Sequence, residues 1–435
     1  MSLYRFTIKD YHAVEKADIR IDGITVLAGA NGSGKSTVSQ WLYYVLQGMN
    51  EYEKCVEIDV MRAAQGLLRK MSRAVSLLNH YNGDHLRRDI YRLTRIRREA
   101  MPIESLNEKI LLVIDGFVRV LNDYADDRDG PFEITRVQSL IGLEPMAEET
   151  FGDYLERVRE KLTGDFDAIF EKGRVRLRER SHSSLMSVIG HFSEWDDYRE
   201  CDIEISEDGV PLISDKEFRL PLSLETAVYY DTQRISEILS ENASSDFARM
   251  VREKSEDMPE SGTLVKKVLE RIMGGIASFD KDGNSIFDDK VLHFRRGDGL
   301  VIPLREAATG VISFSFIYRL LINGWLNRNS LLIIDEPEAH LHPQWIVEFA
   351  RILVLLNKTI GVKIMMSSHN PDMVAALQSI ARKEGMLDST HFYLAAESES
   401  DKTKYIYKDL GQDISEIFQS FNIALSRIDL YGEED

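Results

Sequence analysis

The feature that most constrains the fold is a glycine-rich segment between an apolar strand and an amphipathic helix. The strand-like run is Ile24 to Leu27, and after the segment apolar residues recur with a helical period at Val38, Trp41, Leu42 and Val45. The segment matches G-x-x-x-x-G-K-[ST] at every position. It consists of Gly29, Ala30, Asn31, Gly32, Ser33, Gly34, Lys35 and Ser36. Strand, loop and helix in this order predict an α/β fold of the P-loop type, with the loop at a sheet edge.

The residue types of this loop suit a phosphate-bearing ligand. Glycines let the backbone fold so that its N–H groups point inward, and the N-terminus of the helix adds about half a positive charge. Lys35 could reach the β and γ phosphates of a nucleotide, and the Ser36 hydroxyl could coordinate Mg²⁺. Thr37 could contact the α-phosphate. We therefore predict that the loop binds ATP with Mg²⁺; the alternative is a glycine-rich turn without a ligand.

A second segment pairs an apolar strand with two acids. Four apolar residues from Leu331 to Ile334 suit a strand buried on both faces of a parallel sheet. Asp335 and Glu336 follow, and two carboxylates at a buried strand end are costly without a partner. Asp335 is predicted to hold Mg²⁺, and Glu336 to orient or deprotonate the attacking water. The alternative is an ordinary strand end with capping acids.

Two further strands end in candidate site residues. His369 follows the apolar run Ile364 to Met366 and a pair of serines, where a γ-phosphate sensor would lie. Gln233 lies three residues beyond the short strand Ala227 to Tyr230 and could contact the metal or the lytic water. A structural histidine and a surface glutamine are the alternatives. Ligands of open α/β sheets bind at the carboxyl ends of the strands, so all these segments should converge on one crevice.

The chain is predicted to divide into an α/β domain and an insertion. Residues 1–50 and 220–435 read as the domain, and 51–219 as a charged, mostly helical lid or arm. Gly48 is the expected C-cap of the helix after the loop. Three hairpin strands between 276 and 304 are predicted with turns at Asp282-Gly283 and Asp298-Gly299. Strands at 391–394 and 404–407 and a helix at 414–428 complete the prediction.

Composition limits the partners. The formal net charge is −18, so contact with nucleic acid requires a local basic patch. Two such clusters lie in the insertion, and their alternative is a solvated helix face with neighbouring acids. The first comprises Arg87, Arg88, Arg92, Arg95, Arg97 and Arg98, and the second Arg174, Arg176, Arg178 and Arg180. With two distant cysteines, no signal peptide and no run long enough to span a bilayer, we expect a cytoplasmic protein with no membrane contact.

Taken together, these residues resemble the ABC-type ATPases of the SMC/RecF and OLD-like group. The run Asp335 to Pro343, DEPEAHLHP, is similar to the extended Walker B motif and D-loop of the OLD-like ATPases, and Ser367 to Pro371 to their switch-histidine loop. Ala308-Thr309-Gly310 matches the signature motif, with Thr309 in place of the usual serine. The resemblance covers 1–50 and 220–435. It implies an ATPase head with a mixed sheet flanked by helices.

The resemblance also implies an assembly. In the family, the signature motif of one subunit closes over the γ-phosphate held by the other. We therefore expect a homodimer with two shared ATP sites, in which Thr309 and Gly310 contact the partner's nucleotide and residues 338–342 lie at the interface. A metal site at His340 and His342 is the alternative for part of that stretch.

The resemblance further suggests a biological role. Only 66 residues follow His369, too few for the TOPRIM nuclease domain of OLD nucleases, so a separate nuclease or toxin effector is expected. The chain would then be a dimeric, ATP-driven switch that controls DNA or that effector, in bacterial anti-phage defence. The alternatives are a nucleotide-gated scaffold that holds a toxin or nuclease with little hydrolysis, a RecF-like DNA repair ATPase, and the ATPase subunit of a transporter.

Overall fold

The chain forms two compact units, Met1–Asn50 with Ile189–Asp435 and Glu51–Val188. The structure is a computed structural model. It describes residues 2–77, 84–95, 100–125, 138, 140–146, 148–193, 195, 197–198, 201–240, 245–279, 291–339 and 341–421. In this part of the chain, no helix is both long and apolar enough to cross a bilayer.

The first unit is built on a mixed ten-stranded sheet. The strands are β1 (Tyr4–Tyr11), β2 (Val14–Ile21), β3 (Ile24–Ala28), β4 (Asp202–Glu207), β5 (Val210–Pro211), β6 (Thr226–Asp231), β10 (Ser330–Asp335), β11 (Lys363–Ser368), β12 (Thr390–Glu397) and β13 (Tyr405–Asp409). Their order in the sheet is β5-β4-β1-β2-β13-β12-β3-β11-β10-β6. The block β12-β3-β11-β10-β6 is parallel, whereas β4, β1 and β2 pair antiparallel. The predicted α/β class is confirmed.

Burial explains which strands lie where. Every residue of β3, β10 and β11 is buried, as expected of central parallel strands covered on both faces. In contrast, β1 and β4 alternate between buried and exposed residues over part of their length. The central strands therefore bring the glycine-rich loop, the Asp335-Glu336 pair and His369 to the same sheet edge.

The predicted end of the insertion at Arg219 differs from the structure. The second unit ends at Val188, and β4 pairs with β1 inside the large sheet, with Ile203 opposite Ile8. Ile203 and Ile205 face the interior, while Asp202 and Glu204 on the other face are exposed. Four of the six residues of β4 are charged or polar. The sequence therefore gives only a weak strand pattern, although the two isoleucines pack into the core.

Helices cover the sheet. They are α1 (Lys35–Asn50), α7 (Ile235–Ile238), α8 (Asp246–Arg252), α9 (Thr263–Met273), α10 (Thr309–Ile322), α11 (Pro343–Ile360), α12 (Pro371–Lys383) and α13 (Ser415–Phe421). Gly48 is not the C-cap that the sequence predicts: it is buried inside α1, and the helix continues to Asn50 because Met49 is also buried. The predicted helix at 414–428 is described only as α13; its residues beyond 421 lie outside the described chain.

A small antiparallel sheet accompanies the large one. Its strands are β7 (Gly275–Phe279), β8 (Leu292–Arg296) and β9 (Val301–Pro303), in that order, where the sequence predicts hairpin strands. The turn between β8 and β9 is closed by Asp298, whose carboxylate accepts hydrogen bonds from Arg296 and from the Leu300 N–H. The predicted turn at Asp282-Gly283 lies outside the described residues.

The second unit is helical over its described residues. Its helices are α2 (Tyr52–Leu77), α3 (Asp84–Arg95), α4 (Ile103–Ala125), α5 (Phe151–Glu179) and α6 (His182–Ile189). A capping box fixes the start of α5, because the Thr150 hydroxyl accepts from the Asp153 N–H and the Asp153 carboxylate accepts from the Thr150 N–H. Arg180, in the left-handed conformation, ends this helix.

Candidate active site

The glycine-rich loop connects β3 to α1 with an opening on its outer side. Gly34 has φ +85°, and a Cβ there would lie 2.6 Å from the Val14 Cγ2 atom, so only glycine fits. A Cβ on Gly32, with φ +80°, would meet no atom within 4 Å. Tyr407 braces the loop from β13 by donating a hydrogen bond to the Ser33 carbonyl at 3.2 Å. A backbone held in this way, with open space at Gly32, can receive phosphate oxygens.

Lys35 is the buried cation of the loop. It is 5% exposed, and its Nζ donates to the carbonyls of Gly29 at 3.0 Å and Ala30 at 2.8 Å. Burial lowers the pKa of Lys35, and the charges of Glu336, Asp335 and Glu338 act in the opposite direction. The lysine therefore lies within electrostatic reach of three carboxylates at and beyond the end of β10, two strands away from β3.

Asp335 is fixed at the end of β10 by the strands on both sides. Parallel register places it opposite Ser367 of β11 and Asp231 of β6. Its Oδ1 accepts a hydrogen bond from the Ser367 hydroxyl, and its Oδ2 accepts one from the Tyr229 hydroxyl at 3.3 Å. The carboxyl group is buried, and each of its oxygens accepts from a neutral hydroxyl donor, so further lone pairs are available to a cation.

Glu336 joins two other predicted residues. Its backbone has φ +50°, in the left-handed region, and its N–H donates to the Ser367 carbonyl at 3.1 Å. Gln233 Nε2 donates to Glu336 Oε2 at 3.0 Å, and His369 Nδ1 lies 3.2 Å from Glu336 Oε1. Thr232 supports the turn because its hydroxyl contacts the carbonyl oxygens of Asp335 and Glu336 at 3.0 and 2.8 Å. The carboxylate of Glu336 thus lies between Gln233 and His369.

Glu338 lies beside His369, a position that the sequence does not predict. The resemblance puts it at a subunit interface, but its side chain is buried within its own chain. Its Oε1 accepts from the Ser368 hydroxyl at 2.8 Å and from the His369 N–H at 2.9 Å, and it lies 3.4 Å from His369 Nδ1. Its Oε2 is buried with no hydrogen-bond partner among the described residues. Burial raises the pKa of Glu338.

The signature segment lies at the start of α10. Thr309 is the first residue of that helix, and a Cβ on Gly310 would lie 2.5 Å from the Trp345 ring, so glycine permits close packing against α11. Thr309 also lines a cavity of about 560 Å³ together with Gln233 and Arg305. This cavity therefore reaches from the signature segment to the glutamine that contacts Glu336.

The alternative metal site at His340 and His342 gains no support. His342 accepts a hydrogen bond from the Gln344 N–H and caps the N-terminus of α11, which is a structural role. His340 lies outside the described residues. Over the described ranges, no group of three histidine, cysteine or acidic side chains is arranged to hold a metal.

A magnesium ion bound with a nucleotide needs fewer protein ligands. Mg²⁺ keeps several waters and takes one or two protein oxygens besides the phosphates. The Asp335 carboxylate and the Ser36 hydroxyl at the start of α1 supply oxygens of the right chemistry, and Gln233 offers an amide oxygen nearby. The residues present therefore fit the ion that the loop implies.

Geometry and motifs together define the class. A P-loop after β3, an Asp-Glu pair after β10 and a histidine after β11 are those of an ABC-type P-loop ATPase domain of the SMC/RecF and OLD-like group. The chain belongs to the family described as "AAA domain, putative AbiEii toxin, Type IV TA system", whose sequence profile matches residues 84–375, more than half of the chain. That span includes Asp335, Glu336 and His369.

Individual relatives are similar over shorter stretches. The Old nuclease of Escherichia phage P2 is 29% identical over 106 residues, 24% of this chain and 17% of that protein. The energy-coupling factor transporter ATP-binding protein EcfA3 of Clostridium perfringens is 35% identical over 72 residues, 16% of this chain and 25% of that protein. The matches thus span a quarter or less of these relatives. An SMC head domain from Thermotoga maritima aligns over 94% of this chain and 99% of its own, with 11% identity and a TM-score of 0.37.

Proposed function

We propose that this chain hydrolyses ATP with Mg²⁺ and that Glu336 activates the attacking water. The observation that carries the proposal is the position of the Glu336 carboxylate, 3.0 Å from Gln233 Nε2 and 3.2 Å from His369 Nδ1. A carboxylate that accepts a hydrogen bond from Gln233 and lies beside His369, in the same electrostatic neighbourhood as Lys35, suits a general base beside a bound triphosphate. The test is steady-state phosphate release from ATP.

Each side chain has a definite task in this proposal. Lys35 leaves the carbonyls of its own loop and binds the β and γ phosphates, while loop N–H groups and Thr37 bind the rest of the triphosphate. Ser36, Asp335 and Gln233 would hold Mg²⁺, which neutralises phosphate charge when bound. His369 contacts the γ-phosphate. Because His369 also lies close to the carboxylates of Glu336 and Glu338, it couples both of them to the presence of that phosphate.

Glu338 should act as a positioning residue. Glu338→Gln keeps the side-chain volume but weakens the acceptor that fixes Ser368 and His369. We expect kcat to fall about tenfold, or roughly 1.4 kcal/mol, while the ATP affinity changes less than about threefold. The melting temperature should not fall, because the substitution removes a charge from a buried position.

Steady-state kinetics and a melting curve test this expectation, with Glu348→Gln on the exposed side of α11 as the control. A lower melting temperature with an unchanged kcat would mean that Glu338 is only structural.

We also propose that two copies close over ATP, with Thr309 and Gly310 of each contacting the nucleotide of the other. Thr309→Asp should block closure by repelling the γ-phosphate, and it should still fold because an acid suits a helix N-terminus. Lys35→Met should remove the P-loop function from the other half of the site. Neither variant alone should turn over ATP.

Mixing the two variants distinguishes shared sites from independent ones. A hybrid dimer has one complete site, made from the P-loop of the Thr309→Asp chain and the signature of the Lys35→Met chain. Random pairing should restore about a quarter of the wild-type rate of phosphate release. A mixture that forms hybrid dimers, as scored by two affinity tags, but stays inactive would exclude the sandwich.

The proposed role is a switch that controls a separate effector in bacterial anti-phage defence. It is supported by the toxin in the family description and by the nuclease among the similar proteins, whose activities are their own. ATP is a cytoplasmic metabolite, so the proposal places the switch there. A nuclease or toxin gene beside the chain's own would support it, whereas a set of recombination genes would favour a RecF-like repair ATPase.

The second candidate is a nucleotide-gated scaffold that binds ATP and hydrolyses little. The degenerate signature favours it: Thr309 keeps the hydroxyl of the usual serine, but the residues after Gly310 lack the usual Glu/Gln pattern. The two functions differ in phosphate release with and without duplex DNA. No release under either condition, together with tight ATP binding, would select the scaffold.

A further inference from the structure

Helix α2 from Met61 onward and helix α3 belong to a basic stretch of an acidic protein, whereas the first turns of α2 carry Glu53, Glu57 and Asp59. Between residues 60 and 98 the sequence has ten lysines and arginines and two acids, whereas the whole chain has a net charge of −18. Such a local reversal of charge is the electrostatic signature of a surface for a polyanion.

The cations of α2 are displayed along the exposed part of the helix. Arg62, Arg69 and Arg73 are exposed and recur at i, i+7 and i+11, with Lys70 beside them. The opposite face of the helix is buried in the unit, including Met61, Ala64, Leu68, Met71 and Val75. From Arg62 to Arg73 the row extends about 16 Å along the axis.

Helix α3 lies against α2 in antiparallel orientation. Gln65 Nε2 donates to the Leu93 carbonyl at 3.1 Å, and the Arg87 guanidinium donates to the Val75 carbonyl at 3.2 Å. These two contacts fix the register of the pair near both ends of α3. The exposed cations of the two helices are therefore carried by neighbouring elements of one unit.

Helix α3 adds its own exposed row. Arg88, Arg92 and Arg95 are exposed at i, i+4 and i+7, and Tyr91 between them is 53% exposed. The Arg95 guanidinium lies over the Tyr91 ring, 4.5 Å from its centroid. Asp89 reduces the charge, since it lies 3.7 Å from Arg92, but both side chains remain largely in solvent. Arg97 and Arg98 lie outside the described residues.

The other arginine cluster is largely neutralised within the unit. Arg174 pairs with Glu104, Arg176 with Asp59 and Arg180 with Glu53, each at 3.0 Å. This is the solvated, ion-paired face that the sequence leaves open as the alternative. The two basic clusters therefore differ in degree. On α2 and α3, Arg62 pairs with Asp59 at 3.1 Å and Arg92 lies 3.7 Å from Asp89, but Arg69, Lys70 and Arg73 are three exposed cations in a stretch, residues 60–77, whose sequence contains no acid.

From this difference we infer that the exposed cations of α2 and α3 form a docking surface for the phosphate backbone of duplex DNA. We call it the α2–α3 surface, defined by Arg62, Arg69, Lys70, Arg73, Arg88, Arg92 and Arg95. Duplex DNA carries one negative charge per about 1.7 Å, the densest polyanion that a rigid row of long cations, about 16 Å in length, could match. The surface goes beyond the ATP switch, because it would bind DNA whether or not the site hydrolyses ATP.

The chemistry of the surface disfavours the other polyanions. An anionic membrane would require exposed apolar side chains beside the cations, but α2 and α3 bury theirs in the unit. A single strand would require several aromatic platforms for its bases, and on the described part of α3 Tyr91 is the one large aromatic residue that is exposed, with Arg95 over its ring. Backbone contact by flexible cations remains, which positions a duplex without reading its sequence.

The test measures binding of a labelled duplex of about 30 base pairs by the full chain, by fluorescence anisotropy at several salt concentrations. One variant carries Arg69→Gln, Lys70→Gln and Arg73→Gln. The matched control carries Arg174→Gln, Arg178→Gln and Arg180→Gln, so each variant has three fewer positive charges. We expect the Kd of the first to rise at least tenfold, with a salt slope smaller by about 0.9 for each phosphate that is no longer neutralised, and that of the control to change less than about threefold.

Further measurements separate a loss of DNA binding from a loss of folding or of ATP hydrolysis. Circular dichroism of both variants verifies the helices, and phosphate release without DNA should equal that of the wild type, which separates this inference from the proposed ATPase. Equal weakening by both variants would overturn the surface, because the effect would then follow net charge alone. Tighter binding of duplex RNA, or of phosphatidylserine vesicles, than of duplex DNA would also overturn it.

Discussion

Replacing Lys35 with methionine should weaken ATP binding by about 100-fold, which corresponds to roughly 2.7 kcal/mol. The Nζ atom donates to the Gly29 and Ala30 carbonyls, and the charges of Glu336, Asp335 and Glu338 act to raise the pKa of this buried cation. Charge-assisted hydrogen bonds to phosphate contribute about 1.5–3 kcal/mol each, and without them the carboxylates repel the triphosphate. Isothermal titration with ATP and Mg²⁺ measures the effect.

A second buried lysine supplies the control for this experiment. Lys363 on β11 is also nearly inaccessible, and its pKa is also lowered by burial, but its Nζ lies over the Tyr4 ring at the far end of the sheet's parallel strands. Lys363→Met removes a buried cation of the same kind without touching the loop. It should leave the ATP affinity within about threefold of the wild type. Equal effects in both variants would show that Lys35 acts through folding.

Sequence reasoning locates Lys35, Asp335, Glu336 and His369 because each has a fixed offset from a buried strand. Parallel strands end at one sheet edge, so an offset read from the sequence becomes a position in space. Gln233 could be predicted for the same reason, and its hydrogen bond to Glu336 places it in the constellation. The roles of these residues remain predictions.

The residues that escaped prediction depend on backbone direction. Glu336 has φ +50°, and after this turn the Glu338 side chain is buried within its own chain. The family resemblance instead suggests that Glu338 lies at a subunit interface. Tyr229 and Thr232 meet Asp335 and Glu336 only because β6 pairs with β10 in parallel register. Neither a torsion angle nor a strand neighbour follows from residue types, although a hydroxyl at each strand end is a weak signal.

The end of the insertion could not be predicted from the sequence for a different reason, although its start at Glu51 is that of the second unit. β4 is separated from its partner β1 by the whole second unit, so its place in the sheet depends on pairing at a sequence distance of about 200 residues. The segment 202–207 is charged, like the insertion before it, with acids at three of its six positions. Only the alternation of Ile203 and Ile205 with polar residues carries the strand signal.

The Glu336→Gln variant should bind ATP as well as the wild type and release phosphate about 10²–10⁴-fold more slowly. Glutamine has nearly the same shape, and its amide oxygen can still accept the hydrogen bond from Gln233 Nε2. It cannot accept a proton from water, so the substitution removes the base and leaves the Lys35 contacts in place. Because ATP then persists between the subunits, the variant should accumulate as a dimer.

Two measurements on the same sample separate this expectation from a folding defect. Rapid-quench turnover reports hydrolysis, and light scattering with ATP and Mg²⁺ reports the mass, which should double for Glu336→Gln and stay that of a monomer for Glu336→Gln combined with Lys35→Met. Glu348→Gln, a surface change on α11, should behave as the wild type in both. Wild-type turnover by Glu336→Gln would remove Glu336 as the base and leave His369, 3.2 Å from the same carboxylate, as the next group to test.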